Sequence, residues 1–210
     1  MTSDTLRILV LASALYAIGA LTFLLIRTYV WGRLPLYAPS SGKSSHGIWY
    51  AFGQGMIPWE KESAAKHLPT LIAGIFYHMA VFAAITYLIL LIFKVVIDTP
   101  YSTVLRLILT IGIISGLSLI IKRLIKPHMR AISTPDDYIS NLLVALFATS
   151  ALLATFGPQF LNFFFITAII LFCYIPLGKI RHCVFFFYSR ILFGAFFGRR
   201  DVFPHQAPES

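Results

Sequence analysis

Charge is the scarcest ingredient of this sequence. Only 12% of the 210 residues are Asp, Glu, Lys or Arg, whereas 58% are hydrophobic, and the mean hydropathy is +0.81. A soluble globular domain carries about 25% charged residues. The deficit argues against an independent water-soluble enzyme, a nucleic-acid-binding domain and a disordered tail, and it predicts an integral membrane protein.

Cysteine is nearly absent as well. Cys173 and Cys183 form no CxxC pair and lie in or beside an apolar run, so they support neither a disulfide framework nor a structural zinc site. No CxxCH occurs, and any haem would therefore be non-covalent and b-type. The hydrolase motifs GxSxG and HExxH and clustered carboxylates are also missing, which argues against a self-contained hydrolytic or transferase site.

Five apolar runs are long enough to cross a bilayer, whose hydrocarbon core takes about 20 helical residues. Backbone amides in lipid need internal partners, so these runs are predicted to be helices. They cover Leu6–Val30, Leu68–Ile97, Thr103–Ile121, Tyr138–Phe156 and Phe160–Ile180. The predicted fold class is an all-α integral membrane bundle of five transmembrane helices, forming a single domain over residues 1–210.

Lys and Arg are distributed unevenly over the loops between these runs. Fourteen lie on one side of the predicted bundle, and only Arg7, Lys94 and Arg106 lie on the other. Because cytoplasmic loops collect basic residues, the N-terminus is predicted to face out and the C-terminus to lie in the cytoplasm. Topology then explains most of the net charge of +9, and nucleic acid is not an expected partner.

Three segments outside the apolar runs carry expectations of their own. The loop Trp31–His67 is rich in Gly, Ser and aromatic residues and is predicted to pack on the membrane surface or on a partner. Val184–Phe203 mixes Phe with Arg and is predicted to be an interfacial cytoplasmic helix with snorkelling arginines. The fourth helix is expected to start at a Ser133 or Thr134 cap, with Asp136 and Asp137 in its first turn.

The histidines are the main candidates for function. Only His78 lies well inside an apolar run, where an ionisable side chain is costly and is a functional candidate by default. His182 lies at the cytoplasmic end of the fifth run, and His67 just precedes Pro69 at the entry to the second. The others are in predicted cytoplasmic segments and need no special role: His46, His128 and His205.

Neutral imidazole binds iron well, and a haem between two helices takes one histidine from each. Composition alone leaves such a haem open against a lone histidine that hydrogen-bonds across helices. His67 and His78 are 11 residues apart, which on a regular helix returns to within about 20° of the same face. Two ligands so spaced would suit two stacked haems, but His182 is the only partner on the fifth run. The ligand count therefore favours one haem.

Three stretches of the sequence match motifs of one known family: IFYHMAVF in the second helix, STPDDYISNLLV at the start of the fourth, and IPLGKIRHCVFFFYSR at the end of the fifth. They resemble the cytochrome b (gamma) subunit of respiratory nitrate reductase. The resemblance is closest to the single-haem relatives in heterodisulfide-reductase-like and sulfite-reduction-associated membrane complexes. MIPWEKESAAKH and FGRRDVFP extend it, so that it covers most of Met56–Pro204.

The resemblance implies a cytochrome b anchor in a prokaryotic inner membrane. Such a subunit transfers electrons between the quinone pool (menaquinone or another quinone) and an iron–sulfur subunit on the cytoplasmic side. It implies one haem b with His78 and His182 as axial ligands, since the family's other pair would fall near Leu88 and Phe164. His67 stays the alternative ligand, because its depth suits His182 better. The chain is thus expected to be a subunit of a quinol/quinone oxidoreductase rather than a complete enzyme.

Haem propionates need cations or hydrogen-bond donors on the cytoplasmic side. Arg181, Arg190 and Arg123 are the expected contacts, with Lys122 and Arg130 on the same side. Three other side chains are available to a quinone head group: Lys94, Tyr87 and Tyr77. The alternative to the cytochrome is a non-catalytic membrane subunit, such as a transporter or assembly component without haem.

Overall fold

A computed structural model describes residues 3–32, 37–60 and 66–203, apart from the side chain of Glu60. Every regular element in these ranges is helical, and five helices are long and apolar enough to cross a membrane. This confirms the predicted fold class of an all-α protein with five such helices.

The helices run in chain order as α1 Ser3–Trp31, α2 Ser44–Phe52, α3 Leu68–Ile92, α4 Thr99–Ile125, α5 Pro127–Ala131, α6 Pro135–Ala154, α7 Leu161–Tyr174 and α8 His182–Arg199. Short 3-10 turns cover Gln54–Met56, Pro58–Glu60, Pro158–Phe160 and Lys179–Arg181. The contacts divide the chain into two compact units. The first unit is Met1–Ala20 with Pro69–Arg181, and the second is Leu21–Leu68 with His182–Ser210.

The second apolar run stops being helical earlier than predicted. Helix α3 ends at Ile92 and not at Ile97, because Lys94 takes a left-handed conformation with φ 57°. The Val95 N–H then donates to the Leu90 carbonyl at 2.9 Å, which is the closing bond of a Schellman cap. Hydropathy continues across this point, so only backbone conformation marks the helix end.

The fifth apolar run differs most from its prediction over Phe160–Ile180. Helix α7 has 14 residues, a length of about 21 Å, because Pro176 and Gly178 follow it in a turn. The fifth helical segment that meets the length and composition needed for crossing is Lys179–Arg199. That segment includes α8, which the sequence predicts as interfacial.

The first unit has a core built from aromatic side chains. Phe164 and Phe165 of α7 and Phe147 of α6 are completely buried. The Phe164 ring centroid lies 5.3 Å from that of Phe147 and 5.8 Å from that of Tyr87 on α3. Although α7 is short, it thus supplies the centre of the packing.

Polar side chains and small residues hold the long helices of the first unit together. The Tyr77 hydroxyl of α3 donates to the Asn141 carbonyl of α6 at 2.8 Å. The Ser150 and Thr167 hydroxyls are hydrogen-bonded at 2.6 Å between α6 and α7. Helix α4 approaches α3 closely at Gly116, where a Cβ would meet the Tyr77 ring. Such interhelical hydrogen bonds and close approaches are what apolar helices use in place of a hydrophobic effect.

The second unit is built differently, on contact between α2 and α8. Gly47 lies against Gly194 and Gly198, and a Cβ at Gly47 would come within 2.6 Å of the Gly198 Cα. The backbone N–H groups of Ser41 and Gly42 both donate to the Arg199 carbonyl at 3.0 Å. Glycines therefore bring the two backbones together, and the chain leading into α2 is tied to the end of α8.

Candidate functional site

His78 projects from α3 in the first unit, and its side chain is exposed. Its Nδ1 lies 2.7 Å from the Gly74 carbonyl oxygen, one helical turn earlier. A carbonyl only accepts, so Nδ1 must carry the proton and Nε2 is the lone-pair nitrogen of the neutral ring. Histidines that bind metals almost always donate their other N–H in this way, which fixes ring orientation and tautomer.

The helix face around His78 is apolar. Gly74 shares that face, and a Cβ there would meet nothing within 4 Å. Ile75 and Phe82, one turn to either side, are 52% and 65% exposed. Ionisable residues within a span almost always face a protein interior or cavity rather than lipid. This face is therefore expected to be covered when the protein is in its membrane.

The other predicted ligands lie at helix ends in the second unit. His182 is the first residue of α8 and is exposed, directly after the 3-10 turn that contains Arg181. His67 is exposed in a turn one residue before α3 begins at Leu68. Because His67 is not part of the helix, the helical periodicity does not place it on the same face as His78.

The positions that the resemblance gives to a second ligand pair are filled with packed side chains. Leu88 is 1% exposed and Phe164 is completely buried, and both belong to the hydrophobic cluster of the first unit. Tyr87 and Phe147 pack on the Phe164 ring from neighbouring helices. The aromatic core thus occupies the region that a second pair would need.

Two acids at the start of α6 organise the basic end of the first unit. Thr134 is the N-cap, and its N–H donates to the Asp137 carboxylate at 2.8 Å, which confirms the predicted capping. The same carboxylate accepts from Lys179 Nζ at 2.5 Å and lies 3.4 Å from Arg123 Nη1. Arg123 also donates to the Ser133 hydroxyl at 2.9 Å. Arg123, an expected propionate contact, is therefore engaged in joining α4 to α6.

Asp136 makes a second link that the sequence gives no sign of. Its carboxylate accepts from the Tyr174 hydroxyl at the end of α7 and from the Lys179 backbone N–H, the latter at 2.8 Å. Gly178 permits this contact, because a Cβ there would meet Tyr174 and would lie 2.8 Å from the Asp136 carboxylate. Tyr174 and Gly178 carry no sequence signal for this contact, because they are 38 and 42 residues from their partner.

The other basic residues that the sequence predicts to be cytoplasmic have varied surroundings. Lys122 of α4 donates to the Thr70 hydroxyl at the start of α3. Arg181 and Arg130 are exposed, and Arg190 is half-buried with its guanidinium 5.6 Å from the Phe186 ring centre. The structure thus leaves Arg181 and Arg190 less committed to helix packing than Arg123.

A groove of about 430 Å³ opens in the first unit between the end of α3 and the start of α4. It is mostly apolar, and its polar groups are the side chains of Thr86, Tyr87, Asp98 and Tyr101. The Tyr87 hydroxyl also donates to the Ala154 carbonyl at 3.1 Å. Of the three predicted quinone contacts, only Tyr87 lines this groove.

The remaining two predicted quinone contacts have protein partners. The Tyr77 hydroxyl is bound to Asn141, as described above, and Lys94 Nζ lies 3.6 Å from Asp4 on α1. Arg106, which the sequence marks only as a basic residue on the sparse side, caps the end of α6. It donates to the Thr155 carbonyl at 2.6 Å, and its guanidinium carbon lies 4.4 Å from the Phe156 ring centre.

Comparison with known proteins adds no identification. No protein-family model, curated protein or solved structure matches the chain. In the part of the chain that the structure describes, no three His, Cys, Asp or Glu side chains are grouped to share a metal ion. A haem needs only two axial protein ligands, so such a group is not a requirement of the predicted site.

Proposed function

We propose that this protein is a b-type cytochrome subunit of a membrane-bound quinol/quinone oxidoreductase. It transfers electrons between the membrane quinone pool and an iron–sulfur partner on the cytoplasmic side. The observation that carries the proposal is His78 on an apolar helix, with Nδ1–H donated to the Gly74 carbonyl at 2.7 Å. The motif resemblance around His78 and His182 points to the same chemistry.

The residues present fit a single haem b. His78 and His182 are the proposed axial ligands, with His67 as the alternative to His78. When bound, the haem supplies one-electron transfer, and the chain supplies ligation, ring orientation and apolar surroundings. The fully packed positions Leu88 and Phe164 support one haem rather than two.

The chain also offers groups for the polar edge of the haem and for the quinone. Arg181 and Arg190 are the proposed propionate contacts, and Arg123 ranks below them because it joins Asp137 and Ser133. The groove lined by Tyr87 and Tyr101 suits an apolar ring that carries oxygen atoms at its edge. The proposed orientation is N-terminus out in a prokaryotic inner membrane, following the excess of Lys and Arg on one side.

The axial ligands are tested by the optical and electron paramagnetic resonance spectra of single variants. His78→Ala and His182→Ala are each expected to abolish the Soret band and paramagnetic resonance signal of low-spin, bis-imidazole haem, because a haem that keeps only one imidazole becomes high-spin or is lost. His128→Ala is the matched control, since His128 is exposed on the short helix α5. It is expected to keep the full band.

Three other spectroscopic results would change or end the haem proposal. A bis-imidazole spectrum retained in His78→Ala but lost in His67→Ala would transfer the ligand role to His67. A haem-to-protein ratio of two would contradict the single-haem proposal. A well-folded protein without any Soret band would end the cytochrome proposal and leave the non-catalytic membrane subunit.

A further inference from the structure

The tryptophans are confined to one part of the molecule. All three belong to the second unit, and Trp31, Trp49 and Trp59 are 82%, 78% and 74% exposed. Tryptophan concentrates at the headgroup level of membranes, where its ring is partly apolar and its N–H finds a polar partner. An exposed set of this kind is typical of a surface that lies at the membrane–water boundary.

Helix α8 is apolar enough to cross a membrane, but Arg190 stands at its middle. It comes eight residues after His182 and nine before Arg199, which places it about 12–13 Å from either end. In a crossing helix this guanidinium would lie at the bilayer centre, the costliest depth for a charge. In a helix that lies parallel to the membrane surface, every residue is close to the headgroups, so the Arg190 guanidinium can reach them from the middle of the helix.

Helix α2, which packs on α8, also indicates that α8 lies parallel to the membrane surface. Helix α2 has nine residues, a length of about 13 Å, which is too short to cross. Gly47 packs near the end of α8, while the Phe52 ring stacks on Phe187 with centroids 6.3 Å apart, near its beginning. If α8 crossed the membrane, the turn after α2 at Gly53 would be held within the hydrocarbon. Gly53 is exposed, and exposed irregular backbone does not occur at that depth.

The second unit has an excess of basic residues, and two of its arginines lie against phenylalanine rings. The second unit has six described Lys and Arg residues against two acids: Arg27, Lys43, Lys66, Arg190, Arg199 and Arg200 against Glu60 and Asp201. The Arg200 guanidinium carbon lies 3.5 Å from the Phe196 ring centre, and that of Arg190 lies 5.6 Å from the Phe186 ring centre. Cations seated on apolar rings suit an anionic headgroup layer above acyl chains.

From these observations we infer that the paired helices α2 and α8 lie along the membrane interface and bind anionic phospholipid headgroups through Arg190 and Arg200. The inference needs no haem for its test, but it competes with the haem proposal for Arg190, which binds either a propionate or a phospholipid headgroup. It leaves the fifth membrane crossing to the apolar segment Pro158–Tyr174, which includes α7 and has about the shortest helical length that spans a bilayer. A protein partner covering the same surface is the competing outcome of the test below.

The depth of Trp49 tests the interfacial position. The full-length variant Trp31→Phe/Trp59→Phe keeps Trp49 as its single indole and is reconstituted in nanodiscs of brominated phosphatidylcholine. Bromine near the carbonyl end of the acyl chains is expected to quench Trp49 more strongly than bromine near the methyl end. The reverse order would show that α8 crosses the membrane, and no quenching at either depth would show that protein or water covers Trp49. Either result would overturn the inference.

The preference for anionic lipid is measured in the same single-tryptophan protein. Brominated phosphatidylglycerol is expected to compete for the site about 30-fold better than brominated phosphatidylcholine, since each of the two arginines near an anionic surface contributes about a factor of five. Arg190→Gln/Arg200→Gln should bring the ratio close to one. The matched control Lys94→Gln removes one positive charge at an exposed position in the first unit and should leave the ratio unchanged.

A salt titration keeps the test independent of any arginine variant. Raising the ionic strength from 0.1 M to 1 M shortens the screening length from about 10 Å to about 3 Å. In the single-tryptophan protein that keeps Arg190 and Arg200, the preference for phosphatidylglycerol over phosphatidylcholine should therefore fall. The order of quenching by bromine at the two depths should stay the same. Equal quenching by both headgroups at low salt would refute the proposed role of Arg190 and Arg200.

Discussion

The two units differ in the contacts at the centre of their packing. In the first unit large side chains fill the space between helices, and Phe147, Phe164 and Phe165 are completely buried. In the second unit the backbones of α2 and α8 approach each other because Gly47 and Gly194 have no side chain to separate them. The first arrangement is sensitive to lost atoms and the second to added ones.

The largest expected effect comes from removing a core ring in the first unit. Phe164→Ala should lower the free energy of unfolding by about 3–5 kcal/mol, because it leaves a cavity among aromatic neighbours. Phe187→Ala, at a position that is 56% exposed on α8, is the matched control in the second unit. It should cost about 1 kcal/mol or less. Unfolding in dodecyl sulfate titrations measures both, and equal losses would remove the contrast between the units.

Adding one methyl group should have a smaller effect, with a sign that depends on the site. Gly47→Ala places a Cβ against the backbone of α8 and should destabilise the second unit by about 1–3 kcal/mol. Gly19→Ala, in α1 with nothing within 4 Å of its Cβ position, should stabilise by about 0.5–1 kcal/mol through helix propensity.

Local readouts separate these two substitutions. Tryptophan emission reports on the second unit, because all three tryptophans belong to it, and hydrogen exchange of α3 and α6 reports on the first. Gly47→Ala should alter the emission and leave exchange in α3 and α6 unchanged. Stabilisation by Gly47→Ala would show that the close approach of α2 and α8 does not exist in the membrane.

The smallest expected effects concern two helix ends with left-handed residues. Lys94 follows α3 and Asp201 follows α8, both with φ 57°. Lys94→Gly should raise the free energy of unfolding by about 0.5–1 kcal/mol, reduced slightly by loss of the exposed ion pair with Asp4. Asp201→Gly should gain less, because aspartate tolerates this conformation better than lysine. The same unfolding titration measures both, and a larger gain at Asp201 would contradict the explanation.

Much of the fold could be predicted from local signals. The low charge and the long apolar runs predict helices in a membrane, and five suitable helices are present. The start of α6 was predictable to within one residue, at Ser133 or Thr134, because a capping residue, a proline and two acids lie next to one another in sequence. The early end of α3 was not, because Lys94 rather than glycine takes the left-handed position.

The candidate site was predictable only where it depends on residue type. His78 stands out in sequence as an ionisable residue within an apolar run. Its bond to the Gly74 carbonyl is a property of helix geometry and side-chain rotamer, and no sequence pattern reveals it. The engagement of Arg123 with Asp137 likewise depends on two helices meeting, which a count of basic residues does not register.

The sequence by itself determined that this protein is helical and suited to a membrane, because segment length and hydropathy are properties of neighbouring residues. Only the tertiary structure decided which helices pack together and by what means. Asp136 meets Tyr174, Arg106 meets Thr155, and the chain before α2 meets Arg199. These partners are 38, 49 and more than 150 residues apart. Buried rings fill the centre of the first unit, whereas glycines bring α2 and α8 together in the second, because packing depends on side-chain shape at the contact.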